Sequence, residues 1–233
     1  MRLLVVDFDY FFPVPQDPKD PLAPLFAWAH FETPYYLLEA WEERALAFLL
    51  RGLPLPGAQG WRGFWERFAF AKGAVLYYAD SNALAFRPEV RQGVEEVVLF
   101  DAHHDAGYHP LGEVPACDDW MVFYHRLGAR LRVYYPSWRD PSLEPEPKVP
   151  VAREVDSGGK LPGEFHRVFL CRSGAWVPPW ADPDFFAFLE EAPLPRVALE
   201  PLGPRPLDLE ALRRRAGEEA LGLFIMESLR RPS

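Results

Sequence analysis

An apolar, β-prone run, Val97-Val98-Leu99-Phe100, passes with no turn residue between into Asp101-Ala102-His103-His104-Asp105. A run without polar alternation is a strand covered on both faces, as in a parallel sheet. Covering both faces takes two layers of helix, so this stretch constrains the chain toward a three-layer α/β/α fold with a mostly parallel sheet. Read as an extended strand end, Asp101, His103 and Asp105 point to one side, because side chains alternate with period two. Oxygen, nitrogen and oxygen donors then face one spot, a set suited to Mn²⁺, Zn²⁺ or Fe²⁺. Ligands of open α/β sheets gather beyond the carboxyl ends of the strands, where this cluster falls. A polar loop with solvated charges and one helix-capping histidine is the plainer alternative.

The same transition occurs at the start of the chain. Leu3-Leu4-Val5-Val6 is a second buried strand, and Asp7-Phe8-Asp9 follows it with two carboxylates facing one side. These would serve as metal ligands beside the Asp/His cluster. Alternatively, Asp7 sits in a buried network and Asp9 caps the next element. Further strands are expected at Ala74–Tyr78, Leu131–Tyr135, His166–Leu170 and Arg196–Leu199. Helices are expected from a Thr33 cap and Pro34 to Gly52, over Trp61–Ala71, from Cys117–Trp120 to about Leu127, over Asp182–Glu191 and over Asp208–Leu221. Phe12–Phe31 reads as an ordered loop, His30 within it as a loop hydrogen-bonder, and Pro141–Gly163 as a surface excursion. Strand and helix alternate along one α/β domain covering residues 1–233, with six or more strands.

Three further residues face the expected cleft. Arg172, at a strand end, suits a substrate carboxylate or phosphate, since its fork accepts two hydrogen bonds at once. Asp118 or Asp119 caps the helix that follows, with Asp118 alternatively a substrate-binding carboxylate. Asn82 ends the strand upstream of the Asp/His cluster and is the single asparagine of the chain.

Asp101-Ala102-His103-His104-Asp105 resembles the D-x-H-x-D metal motif of the arginase/agmatinase ureohydrolases. Asp101-x-His103-His104 is also similar to the D-x-H-H of the histone-deacetylase-like hydrolases. Over roughly residues 75–180 the chain looks like an uncharacterised group of arginase-like proteins. The resemblance implies an arginase-like fold, a divalent metal (Mn²⁺ first) on Asp101, His103 and Asp105, and His104 or Asp105 as general base. By the same comparison Asn82 stands where the family's G-G-D-H type motif has a histidine ligand. Ser173 and Ala175 stand where its S-x-D-x-D run has aspartates. A second metal then lacks its usual ligands, so one tightly held ion at most is expected, with Asp7 or Asp9 completing its shell. The resulting expectation is a metal-dependent hydrolase of amide or guanidine-type C–N bonds in a small-molecule substrate. The alternatives are a non-catalytic binding or regulatory protein of the same fold, and a haloacid-dehalogenase-like phosphatase using Asp7 and Asp9. Lesion-bypass polymerases carry a string similar to Val6–Phe11, but their second acidic motif and basic surface are missing here.

Composition narrows the partners. The chain has 34 acidic and 25 basic residues, a net charge of −9, which disfavours nucleic acid. No apolar stretch is long enough for a membrane span and no signal peptide is recognisable. Two cysteines are too few for a disulfide framework, which points to a reducing cytoplasm. Abundant proline and scarce amides suggest a thermophilic source.

Overall fold

The computed structural model describes residues 1–15, 19–20 and 34–230, without side chains at 34–35, 223–224 and 227–230. The expected loop at Phe12–Phe31 falls largely outside these residues, and His30 and the Thr33 cap wholly so. The strands are β1 (Arg2–Asp7), β2 (Ala69–Ala79), β3 (Glu96–Phe100), β4 (Arg130–Tyr135), β5 (Ala152–Val155), β6 (Glu164–Cys171) and β7 (Arg196–Ala198). The α-helices are α1 (Pro34–Leu50), α2 (Pro88–Arg91), α3 (Trp120–Arg126), α4 (Asp182–Glu191) and α5 (Leu209–Arg230). All seven strands join one sheet in the order β5-β4-β3-β1-β6-β2-β7, and every neighbouring pair is parallel.

The uninterrupted apolar runs build two cores at once. Leu4, Val6, Val98, Phe100, Val168 and Leu170 face one side, with α4 and the aromatic segment around Phe64. Leu3, Val5, Val97, Leu99, Phe169 and Cys171 face the other, with α2 and α3. Each such side chain contributes about 1.5–3 kcal/mol by leaving water, which is why neither face tolerates alternation. The result is the expected α/β/α layering. Among the described residues no helix is long and apolar enough to cross a membrane.

Two elements differ from the sequence reading. Trp61–Ala71 is not a helix: only Phe64–Arg67 forms a 3₁₀ turn, preceded by Gly63 at φ 70°, and Ala69 already begins β2. Trp61, Phe64, Trp65 and Phe68 are all buried, so their helix-like spacing is real. It is met by an irregular turn whose rings pack on α4, Trp65 stacking on Phe188 at 4.6 Å. Within Pro141–Gly163, residues 152–155 pair with β4 as an edge strand.

Register places the site. Val6 pairs with Phe100, and both Asp7 and Ala79 pair with Cys171, so β1, β2, β3 and β6 end almost level. The tails Asp7–Asp9, Asp80–Asn82, Asp101–Asp105 and Arg172–Ala175 therefore leave the sheet at the same edge. From β3 the chain moves outward through β4 and β5, then returns to the far side of β1. That reversal beside β1 is where an open parallel sheet leaves a crevice.

Candidate metal centre and its cavity

Neither acidic tail is extended. Asp7 caps the 3₁₀ turn Phe8–Phe11, its Oδ1 accepting from the Asp9 N–H at 2.9 Å. Asp101 repeats the device one strand away, its Oδ1 accepting from the His103 N–H at 2.8 Å. The chain then turns sharply, and Asp105 sits in the left-handed region at φ 46°. The side chains converge through these Asx turns, not through the period-two alternation expected from the sequence.

Two corners result. In the first, His103 Nδ1 lies 2.9 Å from Asp9 Oδ2 and 3.4 Å from Asp101 Oδ1. Asp9 Oδ1 accepts from the Ala102 N–H, while Asp9 Oδ2 is buried and receives no well-directed hydrogen bond. In the second, the Asn82 Nδ2 amide group donates to Asp7 Oδ2 at 2.7 Å, Asp105 Oδ2 at 2.8 Å and Asp101 Oδ2 at 3.3 Å. Trp120 Nε1 adds a further bond to Asp105 Oδ2 at 2.7 Å. Asp101 serves both corners, one oxygen to each.

Burial dominates the electrostatics. Asp7 and Asp101 are held well above the usual carboxylate range, by desolvation first and then by Asp9. Asp105 is pushed up to about 7 by desolvation, against the lowering bond from Trp120. Asp9 goes the other way: burial would raise it, but His103 holds it below the ordinary value. His103 is reciprocally raised, desolvation being outweighed by Asp9. Four buried carboxylates with one imidazole as counter-charge carry a negative excess that bound protons or a cation would relieve.

The residues present fit one. Donor atoms of Asp9, Asp101 and His103 lie within 4.8 Å of one another, a carboxylate and imidazole set suited to Mn²⁺, Fe²⁺ or Zn²⁺. Beside them opens a cavity of about 340 Å³, lined by Asp7, Asn82, His103 and Asp105 and by Asp80, Ser81, Asp118, Ser173 and Ala175. Tyr108, Trp176 and Leu37 supply apolar surface, and the Trp176 ring lies 4.7 Å from that of His103. Ser173, at φ 59°, is the second non-glycine residue in the left-handed region. Cys171 and Cys117 also line the space. Desolvation, with Asp105 next, pushes the Cys117 thiol up to about 12, and Cys171 is raised by burial and Asp7. Neither is a ready thiolate.

The other expected site residues fall as follows. His104 is fully buried and turned away: its Nδ1 accepts from the Ala106 N–H, so Nε2 donates to Pro145 O at 3.0 Å. Its ring stacks on Tyr108 with centroids 4.2 Å apart. No ring nitrogen remains for proton transfer, which leaves Asp105 as the residue of that pair facing the cavity. Arg172 does not line the cavity. Its guanidinium is engaged by Asp80 at 2.7 Å, by Gly203 O at 2.8 Å and by Asp182 at 3.5 Å. It fixes the loop in which a Cβ at Gly174 would stand 2.6 Å from Asp80 Oδ1. The α3 cap is Asp119, which accepts from the Ala116 N–H. Asp118 lines the cavity, half-buried.

Trp120, Trp176 and Tyr108 have no counterpart in the sequence reading. An indole is core material by default, and only the position of Trp120 at the start of the helix that Asp119 caps hints at a donor role. Comparison with protein families, with curated proteins and with solved structures finds no match for this chain.

Proposed function

We propose that the protein is a single-metal hydrolase of C–N bonds, acting on amides of small cationic molecules. The observation carrying this reading is the Asp9–Asp101–His103 donor set, whose His103 lines a substrate-sized cavity. The similarity of Asp101–Asp105 to the ureohydrolase and deacetylase-like motifs supports it. A divalent ion held by Asp9, Asp101 and His103 would act as Lewis acid and make a water acidic enough to ionise near neutral pH. Asp105 lines the cavity beside His103 and would be the residue placed to take up a proton and return it to the leaving amine. Asn82 and Trp120 hold that carboxylate by N–H donation. Asp118 and the face of Trp176 belong to a lining without arginine or lysine among the described residues, which favours a positively charged substrate. Guanidine hydrolysis is disfavoured, because by the resemblance Asn82, Ser173 and Ala175, which line the cavity, replace residues that are metal ligands in ureohydrolases.

The test is elemental analysis of purified protein, followed by release of free amine from a panel of acylated diamines, amino-acid amides and guanidines. The reading expects bound metal and turnover confined to cationic amides. No metal and no turnover across the panel would replace it with a binding protein. Urea release from arginine with two Mn²⁺ per chain would replace it with a ureohydrolase.

A further inference from the structure

We infer that the amide of Asn82 is a built-in substitute for a second cation, and that it limits this cavity to one metal ion. The inference rests on the metal reading above and concerns the other corner of the same site. Asp7, Asp101 and Asp105 come from the tails of two neighbouring strands and each turns one oxygen toward a single point. The Asn82 nitrogen occupies that point, and the residue is 3% exposed. Its two hydrogens present partial positive charge to three buried carboxyl oxygens, two donors against three acceptors. The shortfall falls on Asp101, the longest contact at 3.3 Å, which is also the carboxylate shared with His103. The other end of the amide, Oδ1, is buried without a hydrogen bond. Turning the amide over would set Oδ1 against the three carboxylates, an orientation that only a cation among them or a proton on one of them would reward. An amide nitrogen has no lone pair to offer a metal, whereas an imidazole or a carboxylate at the same position has one. The inferred difference between a one-metal and a two-metal cavity is therefore one side chain.

The experiment measures Mn²⁺ per chain by elemental analysis after equilibrium dialysis, for the full chain and its Asn82→Asp and Asn82→His variants. All three are purified with Mn²⁺ present, so that an added carboxylate is never left uncompensated. The histidine variant, neutral when unprotonated, stands in if the aspartate variant does not fold. The expected result is one equivalent in the parent and two in either variant, with a thermal midpoint that depends more steeply on Mn²⁺ in the variants. Two equivalents already in the parent would show that Oδ1 turns inward as a ligand, and would overturn the inference. Variants that bind no more than the parent would overturn it as well. A parent that binds nothing would defeat the proposed function, but not this inference if a variant then gains one equivalent.

Discussion

Asp9 and Asp105 are both buried aspartates on the same sheet edge, and their surroundings drive them in opposite directions. Asp105 receives two N–H bonds, from Asn82 and Trp120, and is still pushed up to about 7. Asp9 has a protonatable imidazole at 2.9 Å and is held below the ordinary value. Two neutral donors do not offset desolvation of a charge, whereas one group able to carry the opposite charge does. One corner thus keeps its carboxylate charged, and the other favours the protonated form of its carboxylate.

The comparison is most easily broken at His103. Replacing it by Ala should weaken Mn²⁺ binding, read by titration calorimetry, by more than the roughly 10–100-fold that loss of a ligand's supporting partner brings. Affinity that stays put would remove His103 from the charged corner.

The acid dependence of the metal-free protein tests both corners together. Asp7, Asp101 and Asp105 have raised folded pKa values, so their ionisation opposes folding increasingly as pH rises from about 4 through their folded values. His103 is also raised, and its stabilising contribution, full below pH 6.5, is lost as pH rises through its folded value. Both act in the same direction, while the lowered Asp9 acts only at more acid pH. Stability from urea melts should fall between pH 5 and 8 by a few kcal/mol, each tenfold change in proton affinity being worth about 1.4 kcal/mol. Saturating Mn²⁺ should abolish the fall. A flat profile without metal would mean that the carboxylates are already compensated.

Trp120→Phe sharpens the comparison at the amide corner by removing one donor and little volume. A lost bond to a charged group costs about 1.5–3 kcal/mol, and the pKa of Asp105 should rise further, moving the acidic limb of any pH–rate profile to higher pH. The smallest effect belongs to His104→Gln, in the neighbouring residue of the same motif. It should cost about 1 kcal/mol through its backbone partners and leave metal affinity unchanged. A drop in affinity there would give His104 a part in the cavity that its hydrogen bonds deny.

The sheet was legible because burial on both faces leaves a simple trace, four apolar residues and then a charge, and Leu3–Val6 and Val97–Phe100 both carry it. Convergence of the tails was legible too, since adjacent parallel strands must end on one edge. The way they converge was not: Asx turns at Asp7 and Asp101 depend on backbone angles that residue type favours without dictating. Trp61–Phe68 misled because helical spacing is also the spacing of a compact aromatic turn over a helix. Arg172 was misread because its partners Asp80 and Asp182 are far apart in the chain and meet only in the fold. His104 could not be separated from His103 by type; the turn between them decides which faces the cleft.

The left-handed backbone at Asp105 and Ser173 has a consequence for how this chain would change under selection. A side chain in that conformation typically costs about 1–3 kcal/mol, and glycine or asparagine would relieve most of it. Under heat alone, with no demand on the chemistry, variants at these two positions should outcompete the parent early. Under a demand for turnover, Asp105 should resist while Ser173 drifts if its hydroxyl serves only Asp7. The order in which a heat-challenged library surrenders the two positions would rank their importance to the reaction before any substrate is known.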